Sequence, residues 1–447
     1  MAGRGKWKSS FGFVLAAAGS AVGLGNIWRF PYVTGKNGGA LFLLVYLVAV
    51  VLLGLSVMYA ELSLGRYTQR NPVGAFNAIK PGSIWRGVGF LGVITGVGIL
   101  SYYSVIAGWT LYYMFTSAAG KFGEGITQAQ VDRIFSSFTS SPFLTVLLLF
   151  VFILITSYVV SKGISSGIER WTGILMPLLF VILVFLSIYS LTLPGASRGL
   201  KFYLSPDFSK LNFNIILQAI GQAFFSLSLG MGAMITYGSY LSKEENLFAA
   251  GIEVVTFDTL VAFLAGIVIF PAVFTFNLSP SEGPSLIFKT LPFIFSKLPL
   301  GRIFGTLFFI LLAIAALTST ISLVEVATSY LVDERKVRRP KAAFLVGAAA
   351  FVIGIPSALA TSVKPFTNFV LGKDFLSFMD FIWANLSLPI GGLLLSIFVG
   401  YVWGARKAAK EIRGYRQGKF PGEDIWIFLI KYLVPVALLL ILGSILI

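Results

Sequence analysis

The stretch Ala18-Gly19-Ser20-Ala21-Val22-Gly23-Leu24-Gly25-Asn26 interrupts an apolar run long enough to cross a membrane. Each glycine in a helix interior costs about 1 kcal/mol relative to alanine. Gly19, Gly23 and Gly25, so close together, predict that the helix breaks there. A second apolar run breaks at Ser226-Leu227-Ser228-Leu229-Gly230-Met231-Gly232. Three readings of the pair stay open at this level. Small residues let membrane helices pack closely. Broken helices at matching positions of two halves mark transporters built from inverted repeats. A channel is the third.

Composition sets the class. The chain has 447 residues, 57% hydrophobic and 12% charged, against about 25% charged in an ordinary globular domain. Too few charges are present to coat a soluble surface of that size. With no Cys or His, thiol or imidazole catalysis, Cys/His zinc sites and Ser-His-Asp triads are excluded. An intramembrane hydrolase would need a Ser-Lys or paired-Asp site, and no such pairing is visible. An all-α polytopic membrane protein remains, and not an enzyme.

Apolar stretches lie near 11–33, 40–64, 87–118, 143–160, 168–191, 213–240, 247–276, 301–331, 341–356, 375–403 and 425–446. These are spans 1 to 11; the fourth and ninth are short for a crossing of about 20 residues. The two broken spans, 1 and 6, open successive blocks of five, and an odd offset inverts the second block. The net charge of +16 would suggest nucleic acid in a soluble protein. Here it follows topology instead. Basic residues concentrate before span 1, between spans 2 and 3, between spans 8 and 9 (Arg335, Lys336, Arg338, Arg339, Lys341) and after span 10. The positive-inside bias predicts a cytoplasmic N-terminus and, with an odd number of spans, an external C-terminus. No cleaved signal peptide is expected. The external segment 277–300, broken by four prolines, is equally a passive loop or a lid.

Ionised groups within spans cost at least about 2.5–3.5 kcal/mol at mid-bilayer and need a reason. Arg29 and Asp380 have opposite sign and similar depth; they either close an outer vestibule as a salt bridge or snorkel separately. Glu61 either accepts hydrogen bonds from amides freed by a broken helix or pairs with Arg66. Asp258 has no cation near it in sequence, which suggests a bound cation or a proton. Glu325 lies deep in span 8 with no readable role. Thr318-Ser319-Thr320 offers hydroxyls suited, with freed carbonyls, to Na⁺, although such hydroxyls often bond only to their own helix.

The run Gly19-Ser20-Ala21-Val22-Gly23-Leu24-Gly25-Asn26-Ile27-Trp28-Arg29-Phe30-Pro31 closely resembles the first-span signature of the neurotransmitter:sodium symporter family, whose bacterial members have the LeuT fold. Further matches follow in order: Asn37-Gly38-Gly39, Glu61 with Gly65-Arg66-Tyr67, Tyr102-Tyr103, Gly163 to Arg170, Gln222 to Gly232, Leu317-Thr318-Ser319 and Asp333-Glu334. The resemblance covers all eleven spans. It implies a LeuT fold: a 5+5 inverted repeat plus one extra transmembrane helix. The expected organisation is a single transport domain, 1–447, with repeat one about 11–191, repeat two about 213–403 and the eleventh helix about 425–446.

The resemblance implies sodium-coupled symport of an amino acid by alternating access. The substrate carboxylate would meet amides near Ala21, Gly23 and Gly25 and the Tyr103 hydroxyl. Its ammonium would meet carbonyls around Ser20, Phe225, Ser226 and Ser228. Ile99, Tyr103, Phe225, Met231, Ser319 and Leu323 would line the side-chain pocket, with Phe225 as an aromatic lid. Two Na⁺ sites are implied. The first uses Ala21, Asn26, Ser226, Asp258 and the substrate carboxylate. The second uses carbonyls of Gly19, Val22 and Ala315 and hydroxyls of Thr318 and Ser319.

Arg29 and Asp380, assisted by Gln222, resemble the outer gate; Arg4 and Asp333, with Trp7, the inner. Glu61 would support the span 6 break, and Gly167 with Pro177 resembles a pair at which some bacterial relatives unwind span 5. Ala262 stands where chloride-dependent members carry a Ser, which implies chloride independence. A neutral, hydrophobic or aromatic L-amino acid is expected, in a prokaryotic plasma (inner) membrane. The partners are then a small-molecule amino acid and the lipid bilayer, with no nucleic acid; the sequence does not give the oligomeric state. The alternative is a ligand-gated channel or amino-acid sensor on the same scaffold.

Overall fold

A computed structural model describes residues 5–123, 125–278, 286–370, 372–414 and 418–446. Among the described residues, nine helices are long and apolar enough to cross a membrane. They are Ala40–Thr68, Arg86–Ala118, Pro142–Ser161, Ile164–Leu191, Leu247–Thr275, Gly301–Arg335, Arg339–Ala358, Phe375–Arg413 and Glu423–Ile445. They correspond to spans 2 to 5 and 7 to 11. Span 1 is the bent pair Ser10–Ala21 and Gly25–Lys36, at 51°. Span 6 is Phe213–Ser226 and Ala233–Gly238, separated by Leu227 to Gly232.

Several boundaries move outward from the sequence reading. Spans 4 and 9, which hydropathy alone made short, each run 20 residues, about 30 Å at 1.5 Å per residue, which suffices for a crossing. Proline in the first turn of each fits a position where no amide partner is needed. Span 10 continues past its apolar part through the basic stretch to Arg413. Side-chain caps start others. Ser9 accepts from the Gly12 amide at 2.9 Å, Asn212 from Ile215 at 3.1 Å and Asn246 from Ala249 at 3.3 Å. Each satisfies a donor the helix leaves orphaned.

Burial sorts the spans into an inner and an outer set. The most apolar windows of spans 3 and 8 are 78% buried, those of spans 5 and 11 only 39%. Spans 3 and 8 therefore form the central wall against which the broken spans 1 and 6 pack. This all-α arrangement is the LeuT fold: two inverted five-span blocks and an eleventh helix. Span 5 is wound through both Gly167 and Pro177, with a π-helical turn at Ile164–Glu169. The unwinding that this glycine–proline pair suggests is not present in this conformation.

Candidate functional site

The two breaks meet. Val22 leaves the helical region, with φ −67° and ψ 113°. In span 6, Ser228, Gly230 and Gly232 have φ of 53°, 87° and 75°. A side chain on Gly230 would collide with the Leu388 carbonyl of span 10, so glycine is required there for space as well as conformation. The Ser228 hydroxyl donates to the Ser20 carbonyl at 2.8 Å and ties the breaks together. Amides freed in span 6 turn to Glu61, which accepts from Gly230 at 2.7 Å, Met234 at 3.1 Å and Ile235 at 3.3 Å. Arg66 is not its partner: that guanidinium is buried and binds Glu411 and the Glu245 carbonyl.

Between the breaks lies a small cavity lined by Ala21, Gly23, Gly25, Ile99, Tyr103, Phe225, Ser228, Met231, Ser319, Leu323 and Leu388. Of the expected substrate set, Ser20 and Ser226 lie outside this lining. Leu388 joins it without any signal in the sequence. The Tyr103 hydroxyl accepts from the Leu24 amide at 2.9 Å. A Cβ on Gly23 would sit 2.5 Å from Ser319 Oγ and 2.8 Å from Tyr103 Oη; one on Gly25 would sit 2.9 Å from the Phe225 ring. Both glycines hold open space that any side chain would fill.

Asp258 is fully buried. Its carboxylate accepts from Asn26 Nδ2 at 2.7 Å and from Ser226 Oγ at 2.9 Å. Asn26 Oδ1 in turn accepts from the Gly23 amide at 3.0 Å. Tyr46, not singled out in the sequence, donates to Ser226 Oγ at 3.3 Å. Among the described residues, no Lys or Arg forms an ion pair with Asp258. A buried carboxylate held only by neutral donors leaves net negative charge, which a monovalent cation would neutralise. Asn26, Ser226 and Asp258 are hard-oxygen donors of the type an alkali cation takes.

A second oxygen cluster joins spans 1 and 8. Thr318 Oγ1 lies 3.5 Å from the Val22 carbonyl and 3.1 Å from that of Ala315. Ser319 Oγ donates to Val22 O at 3.1 Å. Gly19 packs against Thr318, so closely that an added Cβ would lie 3.2 Å from its Cβ. The Thr318 hydroxyl also reaches back to Ile314 at 3.2 Å, the bond to its own helix that such residues commonly make.

The outer pair differs from the expected salt bridge. Arg29 and Asp380 are joined through Asn385 rather than to each other. Arg29 Nη2 donates to Asn385 Oδ1 at 3.2 Å, and Asn385 Nδ2 donates to Asp380 Oδ2 at 3.2 Å. Tyr102 also donates to Asp380, at 3.0 Å. Gln222 takes no part. Its amide donates to the Gly25 carbonyl at 3.0 Å instead, because its place on the first half of span 6 faces the span 1 break. The Arg29 guanidinium lies 4.5 Å from the centre of the Phe225 ring, above the cavity that this ring lines.

On the opposite side, Arg4 lies outside the described residues. Asp333 accepts from the amide and side chain of Asn71, both at 3.2 Å. Trp7 donates to the Tyr237 carbonyl at 3.0 Å and packs edge-on against Phe13, Tyr237 and Tyr240. Two acids anchor this end that sequence reasoning left without a role. Glu169 accepts from the Lys8 and Ser9 amides at 2.9 and 3.2 Å. Glu325 pairs with Arg339 and accepts from Tyr240 at 2.6 Å. Arg339 counted only as a topology charge in the sequence; it folds against span 8 instead.

A model of the sodium:neurotransmitter symporter family matches residues 4–123 and 126–447. An uncharacterized sodium-dependent transporter of Bacillus subtilis, YhdH, is 40% identical over 438 residues, covering 98% of this chain and 96% of its own. A sodium-dependent dopamine transporter of Caenorhabditis elegans is 28% identical over 514 residues, covering 99% and 80%. The crystal structure of MhsT in complex with L-phenylalanine superposes with a TM-score of 0.91 at 44% identity, covering 99% of this chain and all of that one. The chain is an integral membrane transporter and not an enzyme, a sodium-coupled symporter that belongs to the sodium:neurotransmitter symporter family.

Proposed function

We propose that this symporter carries a neutral, hydrophobic or aromatic L-amino acid, together with Na⁺ at two sites. The buried Asp258, held by neutral donors alone, carries the reading: it asks for a cation next to Ser226, whose chain neighbour Phe225 lines the cavity. A substrate carboxylate near Gly23 and Gly25 would meet span 1 amides and the Tyr103 proton and complete the first ion's shell. Ion and substrate then each finish the other's site, which is a direct physical coupling. The second ion would sit among Gly19, Val22, Ala315, Thr318 and Ser319 and hold span 1 against span 8. Its departure would free the first half of span 1, which Trp7 and Glu169 otherwise pin.

The cavity lining carries no Lys, Arg, Asp or Glu, which disfavours a charged side chain. Met231, unbranched and flanked by glycines, would adapt to larger apolar groups. MhsT was crystallised with L-phenylalanine, a ligand of this class. Ala262 has no hydrogen-bond donor to offer chloride, and Asp258 supplies a fixed negative charge close by. Transport would thus be chloride-independent. The whole chain would act as one transport domain in a prokaryotic plasma membrane, N-terminus cytoplasmic and C-terminus outside. Equilibrium binding of tritiated phenylalanine, leucine, glutamate and lysine to the purified protein, with Na⁺ or with K⁺, tests this. Binding of the first two only in Na⁺ supports it; binding of glutamate or lysine overturns the substrate class.

A further inference from the structure

A crevice of ≈ 360 Å³ runs along the outside of the bundle between spans 3, 8, 9 and 10, separate from the substrate cavity. Its walls are apolar. Phe90 and Ile94 stand on span 3, Leu345 and Ile353 on span 9, Tyr330 on span 8 and Trp383 on span 10. Phe90, Ile94, Leu345 and Ile353 are each 40–47% exposed, so the crevice opens to the lipid-facing surface. Both outer walls end in a cation. On span 3, Arg86 lies one helical turn before Phe90; on span 9, Lys341 lies one turn before Leu345. Residues four apart share a helix face, so each cation extends its apolar wall at the same end of the bundle. Arg86 and Lys341 are exposed, and neither forms an ion pair among the described residues.

We propose that this crevice is a site for an anionic phospholipid, one acyl chain lying along the span 3–span 9 walls and the phosphate headgroup held between Arg86 and Lys341. The apolar length suits a chain. The two cations, each one turn before a lining residue, are what favour an anionic over a zwitterionic headgroup, since basic residues at a membrane boundary attract anionic lipid.

The full-length protein would be delipidated in detergent and titrated with phosphatidylglycerol or with phosphatidylcholine of identical chains, and bound lipid read by native mass spectrometry. Phosphatidylglycerol should bind more tightly. Arg86→Gln and Lys341→Gln should each weaken it roughly fivefold and leave phosphatidylcholine unchanged. Ala349→Phe, which fills the crevice from its exposed wall, should reduce binding of both lipids. Equal binding of the two lipids by the native protein overturns the proposal. So does a retained phosphatidylglycerol preference in the Arg86→Gln/Lys341→Gln double variant, or a second copy of the chain that Ala349→Phe displaces. Thermal melting of each variant separates loss of lipid from loss of fold.

Discussion

The guanidinium of Arg29 sits 4.5 Å from the centre of the Phe225 ring, and that ring is part of the cavity wall. The cation thus holds the aromatic cover from the outer side, while Asn385 links it to Asp380 on span 10. A cation over an aromatic face contributes roughly 0.5–2 kcal/mol. Phe225→Leu keeps apolar cover but removes the face. It should weaken amino-acid binding by about twofold to thirtyfold in a radioligand saturation assay. An unchanged Kd would mean that the ring does not cover the bound ligand.

Asn385→Ala should remove the only described link between Arg29 and Asp380 while leaving both charges in place. Dissociation of bound amino acid should speed up, with Tm little changed. If the off-rate stays at the native value, the outer side is closed by something other than this bridge.

Much of this site is local and was legible from the chain. Gly23, Gly230 and Gly232 lie where the backbone itself departs from helix, and glycine spacing reports backbone. The charges within spans were also visible, because burying one is costly enough to mark it. Partners were less legible. Arg29 and Asp380 read as a pair by sign and depth, yet Asn385, an unremarkable polar residue in a π-helical turn, stands between them. Arg339 looked like one more interfacial charge, but the short turn after Arg335 carries it back to Glu325. Tyr46 and Leu388 reach the site only because spans 2 and 10 pack there, a long-range fact that hydropathy does not encode.

Glu61 tests how the break in span 6 is held. It accepts three backbone amides with two oxygens. Glu61→Gln would place an NH₂ against at least one of those donors and remove the charge assistance. The loss should be about 2–4 kcal/mol, seen as a fall of several degrees in Tm. A native Tm would show that water or another acceptor serves those amides.

Gly23→Ala should abolish amino-acid binding without unfolding the protein, because its Cβ must displace Ser319 Oγ and Tyr103 Oη. Tyr103→Phe keeps the volume and loses only the hydroxyl, so it should retain binding weakened about tenfold. Equal affinities for the two variants would argue against a carboxylate at this point.

In the proposed mechanism the buried carboxylate of Asp258 couples ion to substrate. Purified native protein and Asp258→Asn should be reconstituted into proteoliposomes and given labelled phenylalanine under an inward Na⁺ gradient, with chloride or gluconate as the anion. The native protein should accumulate phenylalanine above the external concentration with either anion and fail to do so when K⁺ replaces Na⁺. Asp258→Asn should need at least tenfold more Na⁺ or lose accumulation. Phenylalanine that merely equilibrates, or an Asp258→Asn variant with native Na⁺ dependence, would contradict the assignment of Asp258 to the ion that drives transport.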